Sequence, residues 1–320
     1  MKKIQTILKH FESKKSSAID ETYTKERASI LTNRTIKGEN KLNAIKLAIS
    51  MIDLTTLEGK DSAGKVFAMC QKAKNPLPGD TSLPHCAAVC VYPRLIRTAK
   101  EAVGNSGVKI ASVATSFPSG QFPLNLKLED VKRCIIDGAD EIDMVISRGE
   151  FLSGNYEYVF NEISKVKEIC TALSGSISQK IGTKKEIHLK VILETGELET
   201  FDNVRKASIL AITAGADFIK TSTGKVQPAA TLPVTLVMFD VIKDYFYEVG
   251  IKIGMKPAGG IKTTKDALAY LILLNEVLGK EWMTPDLFRL GASSVLNDLL
   301  MQYRKQKSGF YQSGDYFSSD

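Results

Sequence analysis

The segment A-G-A-D-F-I-K-T-S-T-G-K, residues 214–225, carries the pattern that decides the fold. Gly215 follows an amphipathic helix pattern and precedes a strand pattern, as expected for a glycine that caps the C-terminus of a helix. Residues 218–223 are largely apolar or β-branched, which indicates a buried strand. Lys220 lies inside that strand, where an ammonium group is costly to bury. The segment therefore predicts a helix-to-strand unit with a functional charge.

The same unit recurs along the chain, for example as D-G-A-D at 137–140. Apolar positions three and four apart predict helices over 128–136, 158–173, 201–213 and 264–278. Strand patterns alternate with them at 51–57, 87–93, 109–117, 141–147, 188–195, 218–223, 252–257 and 288–292. This alternation predicts an α/β fold, a closed (β/α)8 TIM barrel, better than an open doubly wound sheet. No G-x-G-x-x-G follows the first strand, which counts against a dinucleotide-binding domain.

We expect three parts: a basic, polar, helical N-terminal extension at 1–45, the barrel at 46–306 and a polar C-terminal tail at 307–320. Residues 1–46 hold eleven Lys or Arg and five Asp or Glu, so they carry +6 of the net charge of +7. The excess charge therefore lies in the extension, which weakens a nucleic-acid-binding interpretation. Residues 174–185 are predicted to form a polar loop inserted before the fifth strand.

The composition is that of an ordinary globular protein, with 43% hydrophobic and 25% charged residues among 320. No apolar run approaches the roughly 20 residues that span a bilayer. The N-terminus begins like a secretion signal, but Lys9 and His10 interrupt it, so we expect no cleavage and a cytoplasmic protein. Five scattered cysteines and three histidines favour buried thiols over disulfides, and they indicate no metal site.

Charged residues inside the predicted strands are the candidate catalytic groups, because a barrel of this type carries its chemistry at the C-terminal ends of its strands. Asp53 lies in the first strand, Asp143 in the fourth, and Lys190, Lys220 and Lys256 in the fifth, sixth and seventh. Any one of these side chains could simply extend along the strand so that its charged group reaches solvent or a salt bridge at the rim of the barrel. Three lysines that converge in one lumen are better explained as a device that lowers the pKa of one of them.

A lysine of lowered pKa points to Schiff-base chemistry. With an ordinary pKa of about 10.4, only about one lysine in 2,500 is neutral at pH 7. A neighbouring ammonium group and partial desolvation increase that fraction and make the amine a nucleophile for a carbonyl compound. A carboxylate such as Asp143 can then transfer protons, often through a water molecule.

Glycine-rich loops close the sixth, seventh and eighth strands, at 222–225, 258–260 and 291–294. Glycines let backbone N–H groups approach a ligand, and loops after the last two strands commonly hold a phosphate in such barrels. Each loop alone is a weak signal. Beside the lysines, they predict a small phosphorylated carbonyl substrate.

The longer motifs resemble those of the deoxyribose-phosphate aldolase family. They run in order from residue 45 to 305 and read M-I-D-L-T-T-L (51–57), C-V-Y-P-R (90–94), D-E-I-D-M-V (140–145), L-K-V-I-L-E-T-G-E-L (189–198), A-D-F-I-K-T-S-T-G-K (216–225), K-P-A-G-G-I-K-T (256–263) and G-A-S-S-V-L (291–296). The resemblance implies a class I aldolase without metal or cofactor. Such an enzyme reversibly cleaves 2-deoxy-D-ribose 5-phosphate to acetaldehyde and D-glyceraldehyde 3-phosphate.

The resemblance also implies a role for each matching residue. Lys220 would form the Schiff base, Lys256 would perturb it and assist proton transfer, and Asp143 would donate and accept protons. The residues expected to support this relay or to lie near the substrate are Lys190, Asp53, Thr55 and Cys90. The residues expected to bind the phosphate are Gly224, Lys225, Gly259, Gly260, Ser293 and Ser294.

Two departures and three alternatives stay open. Position 262 is lysine where arginine is also common, and no tyrosine ends the chain, although Tyr311 or Tyr316 could substitute. The alternatives are another sugar-phosphate aldolase, a transaldolase, and a non-catalytic scaffold that uses the basic N-terminal arm. Association into a homo-oligomer such as a dimer is also left open, because no interface can be identified from the sequence.

Overall fold

Eight parallel strands form the centre of residues 18–313, which are the residues that the computed structural model describes. The strands are β1 Ile52–Thr55, β2 Ala88–Val91, β3 Lys109–Ala114, β4 Glu141–Val145, β5 His188–Ile192, β6 Phe218–Lys220, β7 Gly254–Lys256 and β8 Leu290–Ala292. Each pairs with the next, and β8 pairs with β1. Bridges between Met255 and Phe288 and between Ala258 and Gly291 join β7 to β8. The predicted (β/α)8 barrel is confirmed.

Helices surround the barrel. In the described part of the chain they are α1 Glu21–Thr32, α2 Gly38–Ser50, α3 Ala63–Lys74, α4 Ile96–Val103, α5 Leu124–Asp137, α6 Arg148–Leu152, α7 Tyr156–Ile181, α8 Phe201–Thr213, α9 Leu232–Val249, α10 Thr264–Val277 and α11 Val295–Ser308. The predicted glycine cap is present at Gly138, which has φ of 119° and ends α5. None of these helices is long and apolar enough to cross a membrane.

All eight predicted strands are present, but most of them end earlier than predicted. Residues 221–223, for example, follow β6 and turn into a loop at the C-terminal face of the barrel. The backbone of Thr221 is still hydrogen-bonded to the adjacent strand, because its N–H donates to the carbonyl of Lys256 in β7 at 3.2 Å. The extra predicted residues therefore belong to the loops that carry the site.

The prediction of a loop over 174–185 is wrong for most of that segment, because α7 continues to Ile181. Serine and glycine are weak helix formers, which hid the helix in the sequence. The serine hydroxyl groups find hydrogen-bond acceptors within the helix. Ser174 Oγ donates to Cys170 O, and Ser178 Oγ donates to Ser174 O, both at 2.7 Å. Gly182, with φ of 71°, ends the helix.

Two helices precede the barrel and pack on its outside. α1 and α2 lie against α9, α10 and α11. Ile45, Ala48 and Ile49 of α2 are fully buried in that contact, and Arg27 of α1 forms an ion pair with Asp240 at 2.8 Å. Because α2 runs through residue 45, the division into parts at 45/46 falls inside a helix and stays a prediction. The rest of the extension and the end of the tail lie outside the described residues.

The apolar core lies between the strands and the helices, where each strand of a parallel barrel buries its outward face. All four residues of β2 are buried. The five cysteines are buried, as predicted, and none of them forms a disulfide. Burial raises the pKa of Cys70 to about 11, and it raises the pKa values of Cys134 and Cys170 to about 12. These thiols therefore behave as small apolar side chains.

Candidate active site

Asp143 lies in the barrel lumen and contacts three lysines. Its Oδ1 accepts a hydrogen bond from Lys190 Nζ at 3.1 Å. Its Oδ2 accepts one from Lys220 Nζ at 2.7 Å and one from Lys256 Nζ at 2.8 Å. All four side chains are buried. The structure thus brings together the aspartate and the three lysines that the sequence singled out.

Strand register explains why these side chains meet. Asp143 of β4 lies opposite Lys190 of β5, and Lys220 of β6 lies opposite Lys256 of β7. Ile192, two residues after Lys190, lies opposite Lys220. Because side chains two residues apart point to the same face of a strand, consecutive strands bring charges into adjacent layers of the lumen.

Glu141 and Arg289 extend the cluster, and the sequence analysis did not identify either residue. Arg289 Nη1 donates to Asp53 Oδ1 at 2.6 Å, and its Nη2 donates to Glu141 Oε1 at 2.7 Å. Lys190 Nζ also donates to Glu141 Oε2. Both missed residues are charges within apolar strand segments, which is the signal that identified the lysines. Applying it to every strand would have found them.

Asp53 contacts Lys256 rather than Lys220. Its Oδ2 lies 2.7 Å from Lys256 Nζ. Burial alone would raise the pKa of Asp53, but Lys256 and Arg289 outweigh burial and hold that pKa well below its ordinary value. Thr55 lies two residues further along β1, where its Oγ1 donates to the carbonyl of Asp53 at 2.8 Å. Asp53 is therefore an ionised carboxylate that holds Lys256.

The three lysines differ in acidity although they share one carboxylate. Burial lowers the pKa of Lys220 below the ordinary lysine value, Asp143 opposes this effect, and Lys256 adds to it. Burial also acts on Lys256, but Asp143 and Asp53 outweigh it, so the pKa of Lys256 lies well above the ordinary value. The pKa of Lys190 is raised as well, because Asp143 and Glu141 outweigh burial. Lys220 is thus the most readily neutralised of the three.

Asp143 is the ionised partner of this cluster. Burial tends to raise its pKa, but Lys190, Lys220 and Lys256 together hold that pKa well below its ordinary value. Cys90 approaches the same carboxylate, with Sγ 3.9 Å from Oδ2, and burial raises the pKa of its thiol. Cys90 therefore faces the reaction centre as a neutral thiol.

A cavity of about 890 Å³ opens at the C-terminal face of the barrel. Lys220, Lys256 and Thr55 line it. All six residues expected to bind a phosphate line it too, namely Gly224, Lys225, Gly259, Gly260, Ser293 and Ser294. The three glycines have φ values of 80–81°, a conformation that few other residues adopt. Lys220 and the predicted phosphate loops therefore share one cavity.

The mouth of the cavity carries further cations. Lys65 and Lys262 line it, so lysine at position 262 supplies a positive charge where arginine is also common. Lys225 Nζ lies 2.8 Å from Glu58 Oε1, in a pair whose side chains are 30% and 56% exposed. A cationic, partly solvated mouth suits a phosphate group.

Glu194 holds the loop after β6 in place, and the sequence analysis did not identify it. Its buried carboxylate accepts hydrogen bonds from Thr223 N at 3.2 Å and from Arg148 Nη1 at 3.2 Å, and a further one from Thr223 Oγ1. Burial raises the pKa of Glu194. Gly224 and Lys225 come directly after Thr223, so this carboxylate positions two of the residues at the cavity.

Gly291 is a fourth residue to which the sequence analysis gave no specific role. A Cβ at this position would lie 2.9 Å from Lys256 Cε and 2.8 Å from Ala258 Cβ. Cβ atoms essentially never approach neighbours so closely. Glycine is therefore needed here to leave room for the Lys256 side chain.

Of the two C-terminal tyrosines, Tyr311 is the one that lies within the described residues. Tyr311 is exposed, its ring lies over Lys305 at 3.7 Å from the centroid, and it is not among the residues that line the cavity. Tyr316 lies outside the described residues.

Within residues 18–313, no group of three or more His, Cys, Asp and Glu side chains is arranged to hold a metal ion. The absence of a metal and of a cofactor stays a prediction.

Known proteins resemble this chain in sequence and in structure. A family model described as DeoC/LacD family aldolase matches residues 47–273. The deoxyribose-phosphate aldolase of Mus musculus is 44% identical over 292 residues, which cover 88% of this chain and 87% of that protein. The Homo sapiens deoxyribose-phosphate aldolase is 43% identical over the same coverage. A crystal structure assigned as a deoxyribose-phosphate aldolase from Coccidioides immitis matches with a TM-score of 0.64 and 25% identity, over 87% of this chain and 97% of that one.

Proposed function

The chain belongs to the DeoC/LacD family of aldolases, and on that premise we propose that it cleaves 2-deoxy-D-ribose 5-phosphate through a Schiff base on Lys220. The products are acetaldehyde and D-glyceraldehyde 3-phosphate, and the reaction is reversible. One observation carries the proposal: Lys220 is the lumen lysine whose pKa burial lowers, and it lines the same cavity as the phosphate loops.

The first stage forms the imine. Neutral Lys220 Nζ attacks C1 of the open-chain sugar, and the resulting carbinolamine loses water to give a protonated imine. Asp143 lies 2.7 Å from Lys220 Nζ, close enough to transfer protons directly or through one water molecule. Lys256 stays charged and keeps Asp143 ionised between transfers.

The second stage breaks the bond between C2 and C3. The C3 hydroxyl loses its proton to a base, and the electron pair of the C2–C3 bond moves toward the protonated imine, which becomes an enamine. D-glyceraldehyde 3-phosphate leaves with C3 as its aldehyde carbon. Protonation of the enamine at C2 and hydrolysis of the imine then release acetaldehyde and restore Lys220. Asp143 is the carboxylate best placed to exchange these protons.

The phosphate end of the substrate binds at the mouth. Backbone N–H groups of Gly224 and Gly260, the start of α11 at Ser293 and Ser294, and the charge of Lys225 supply its ligands. The N–H of Gly259 donates to Gly291 O, so Gly259 contributes by letting the backbone approach the phosphate closely. Binding energy at this remote group orients C1 toward Lys220, which lowers the entropic part of the barrier.

The metabolic role of the protein follows from its proposed substrate. A deoxyribose phosphate arises when deoxyribonucleotides are broken down, so the enzyme acts in that degradation and in carbohydrate degradation. A cytoplasmic location rests on the scattered cysteines, none of which forms a disulfide. A homo-oligomer such as a dimer fits both the proposed reaction and the proposed location.

The test is a turnover assay with two donors. The purified protein should release acetaldehyde from 2-deoxyribose 5-phosphate, and in reverse it should join acetaldehyde to D-glyceraldehyde 3-phosphate. A ketone donor such as dihydroxyacetone should give much slower condensation. Preference for the ketone would instead favour a transaldolase or another sugar-phosphate aldolase, and no turnover with either donor would remove the proposal.

A further inference from the structure

The buried charges of the lumen form a closed ring. Each member contacts the two oppositely charged members that flank it, and Lys190 Nζ also lies 3.7 Å from Asp53 Oδ2 across the ring. In order, the members are Arg289, Asp53, Lys256, Asp143, Lys190 and Glu141, with Glu141 returning to Arg289. The ring therefore holds three positive and three negative charges.

Lys220 lies outside this ring. Its contact with a carboxylate is the one to Asp143, at 2.7 Å. The other groups that act on it electrostatically are Lys256 and the thiol of Cys90. Because the ring is already neutral, a proton on Lys220 adds one uncompensated positive charge to a dry interior, where such a charge is costly.

Arg289 is the permanent charge of the ring. Its guanidinium group does not lose its proton in proteins. Its Nη1 donates to Asp53 Oδ1 at 2.6 Å and to Glu141 Oε2 at 3.2 Å, and its Nη2 donates to Glu141 Oε1 at 2.7 Å. The guanidinium group also lies over the ring of Phe218, 5.8 Å from the centroid. Neither Arg289 nor Glu141 lines the cavity, so both lie behind the groups that the substrate reaches.

We propose that Arg289 is a positioning residue that closes this ring, so that Lys220 is the surplus cation and loses its proton at working pH. The inference rests on the proposed Schiff-base role of Lys220. Without Arg289 the ring would hold two cations and three carboxylates, and a proton on Lys220 would restore neutrality. Lys220 would then keep its proton to higher pH, and the neutral amine would be scarcer at pH 7.

Five variants test this: Arg289→Met, Arg289→Lys, Glu141→Gln, the double variant of Arg289→Met with Glu141→Gln, and Lys167→Met as the control. Lys167 pairs with Asp217 at 2.6 Å outside the lumen, so its loss removes a positive charge without opening the ring. The measurement is kcat/KM for cleavage of 2-deoxyribose 5-phosphate between pH 5 and pH 10. The limb that rises with pH reports the deprotonation of Lys220.

In Arg289→Met this limb should move to higher pH by at least about one pH unit, which lowers kcat/KM about tenfold at pH values well below the wild-type midpoint of the limb. Glu141→Gln should move it the opposite way. The double variant has two cations and two carboxylates, so its limb should return close to that of the wild type. Arg289→Lys keeps the charge and should also leave the limb near its wild-type position.

A structural role would give a different pattern. In that case Arg289→Met would lower kcat/KM equally at every pH, and the double variant would be no better than the single variant. Either result overturns the proposal. If Arg289→Met does not fold, the limbs of Glu141→Gln and of Arg289→Lys still decide. Failure of the wild type to turn over the substrate would instead remove the proposed function itself.

Discussion

The inner lumen and the cavity mouth both pair lysines with carboxylates, yet the two regions use charge differently. In the lumen, Asp143 is fully buried and contacts three ammonium groups. At the mouth, the pair of Lys225 and Glu58 is partly exposed to water. Buried pairs interact strongly and are costly to break, whereas exposed pairs contribute about 0–1 kcal/mol. Charge in the lumen therefore controls acidity, and charge at the mouth is free to be exchanged for a ligand.

The largest effect should come from Asp143→Asn, because it leaves three ammonium groups in the lumen without their shared carboxylate. We expect the free energy of unfolding to fall by about 3–5 kcal/mol, as when one partner of a buried ion pair is removed. Cleavage activity should fall at least about a hundredfold, in the range for loss of a proton-transfer group. Urea unfolding and turnover measure the two. Unchanged stability would show that the lumen charges do not depend on Asp143.

Gly291→Ala should have the next largest effect, since its new Cβ would clash with Lys256 Cε. We expect a loss of about 1–3 kcal/mol in stability, as for other overpacked sites, together with a lower kcat. The matched control is Gly175→Ala in α7, where an added Cβ meets nothing within 4 Å. Because α7 is helical there, the control should stabilise the protein by up to about 1 kcal/mol. Thermal unfolding compares the two, and equal effects would contradict the packing around Lys256.

Lys225→Ala should act on substrate binding with little effect on stability. Loss of one charged contact to the phosphate should lower kcat/KM for 2-deoxyribose 5-phosphate about tenfold or more. The same variant should cleave unphosphorylated 2-deoxyribose as well as the wild type does. An equal loss with both substrates would place Lys225 outside the phosphate site.

Glu58→Gln should give the smallest change, and in the opposite direction. The Glu58 carboxylate accepts a hydrogen bond from Lys225 Nζ, so at the proposed phosphate site it would compete with the phosphate for that ammonium group. Removing its charge should lower KM for the phosphorylated substrate less than about fivefold, because an exposed pair contributes little. The difference should shrink in high salt, which screens exposed charges. A higher KM would mean that Glu58 supports binding and does not compete with it.

Much of the fold and of the charged cluster in the lumen was predictable from the sequence. The strands and four of the eleven helices in the described residues, α5, α7, α8 and α10, follow from apolar periodicity, and α8 was predicted to the residue. The lysines and Asp143 were identifiable because a charge inside an apolar strand needs a reason. The helix over residues 174–181 was missed because its serines and glycine form helices poorly. Contacts between α7 and the rest of the chain, such as the partly buried Ile177 against the core, override that preference.

The acidity of Lys220 could not be predicted in the same way. Sequence reasoning attributed it to a neighbouring ammonium group and partial desolvation, and both act on Lys220. Lys190 and Lys256 are buried in the same lumen, however, and have raised pKa values. What separates Lys220 is the number of carboxylates that each lysine contacts. That number depends on Arg289 and Glu141, which are distant in sequence, and only the closed barrel brings them together.

The central claim is that one lysine of the three in the lumen is the nucleophile. It is tested most directly by incubating the protein with acetaldehyde and borohydride and mapping the reduced adduct by peptide mass spectrometry. Our account predicts a two-carbon alkyl group on Lys220 and none on the corresponding peptides of Lys220→Ala. An adduct on Lys256 or Lys190, or a folded protein with no adduct, would contradict it.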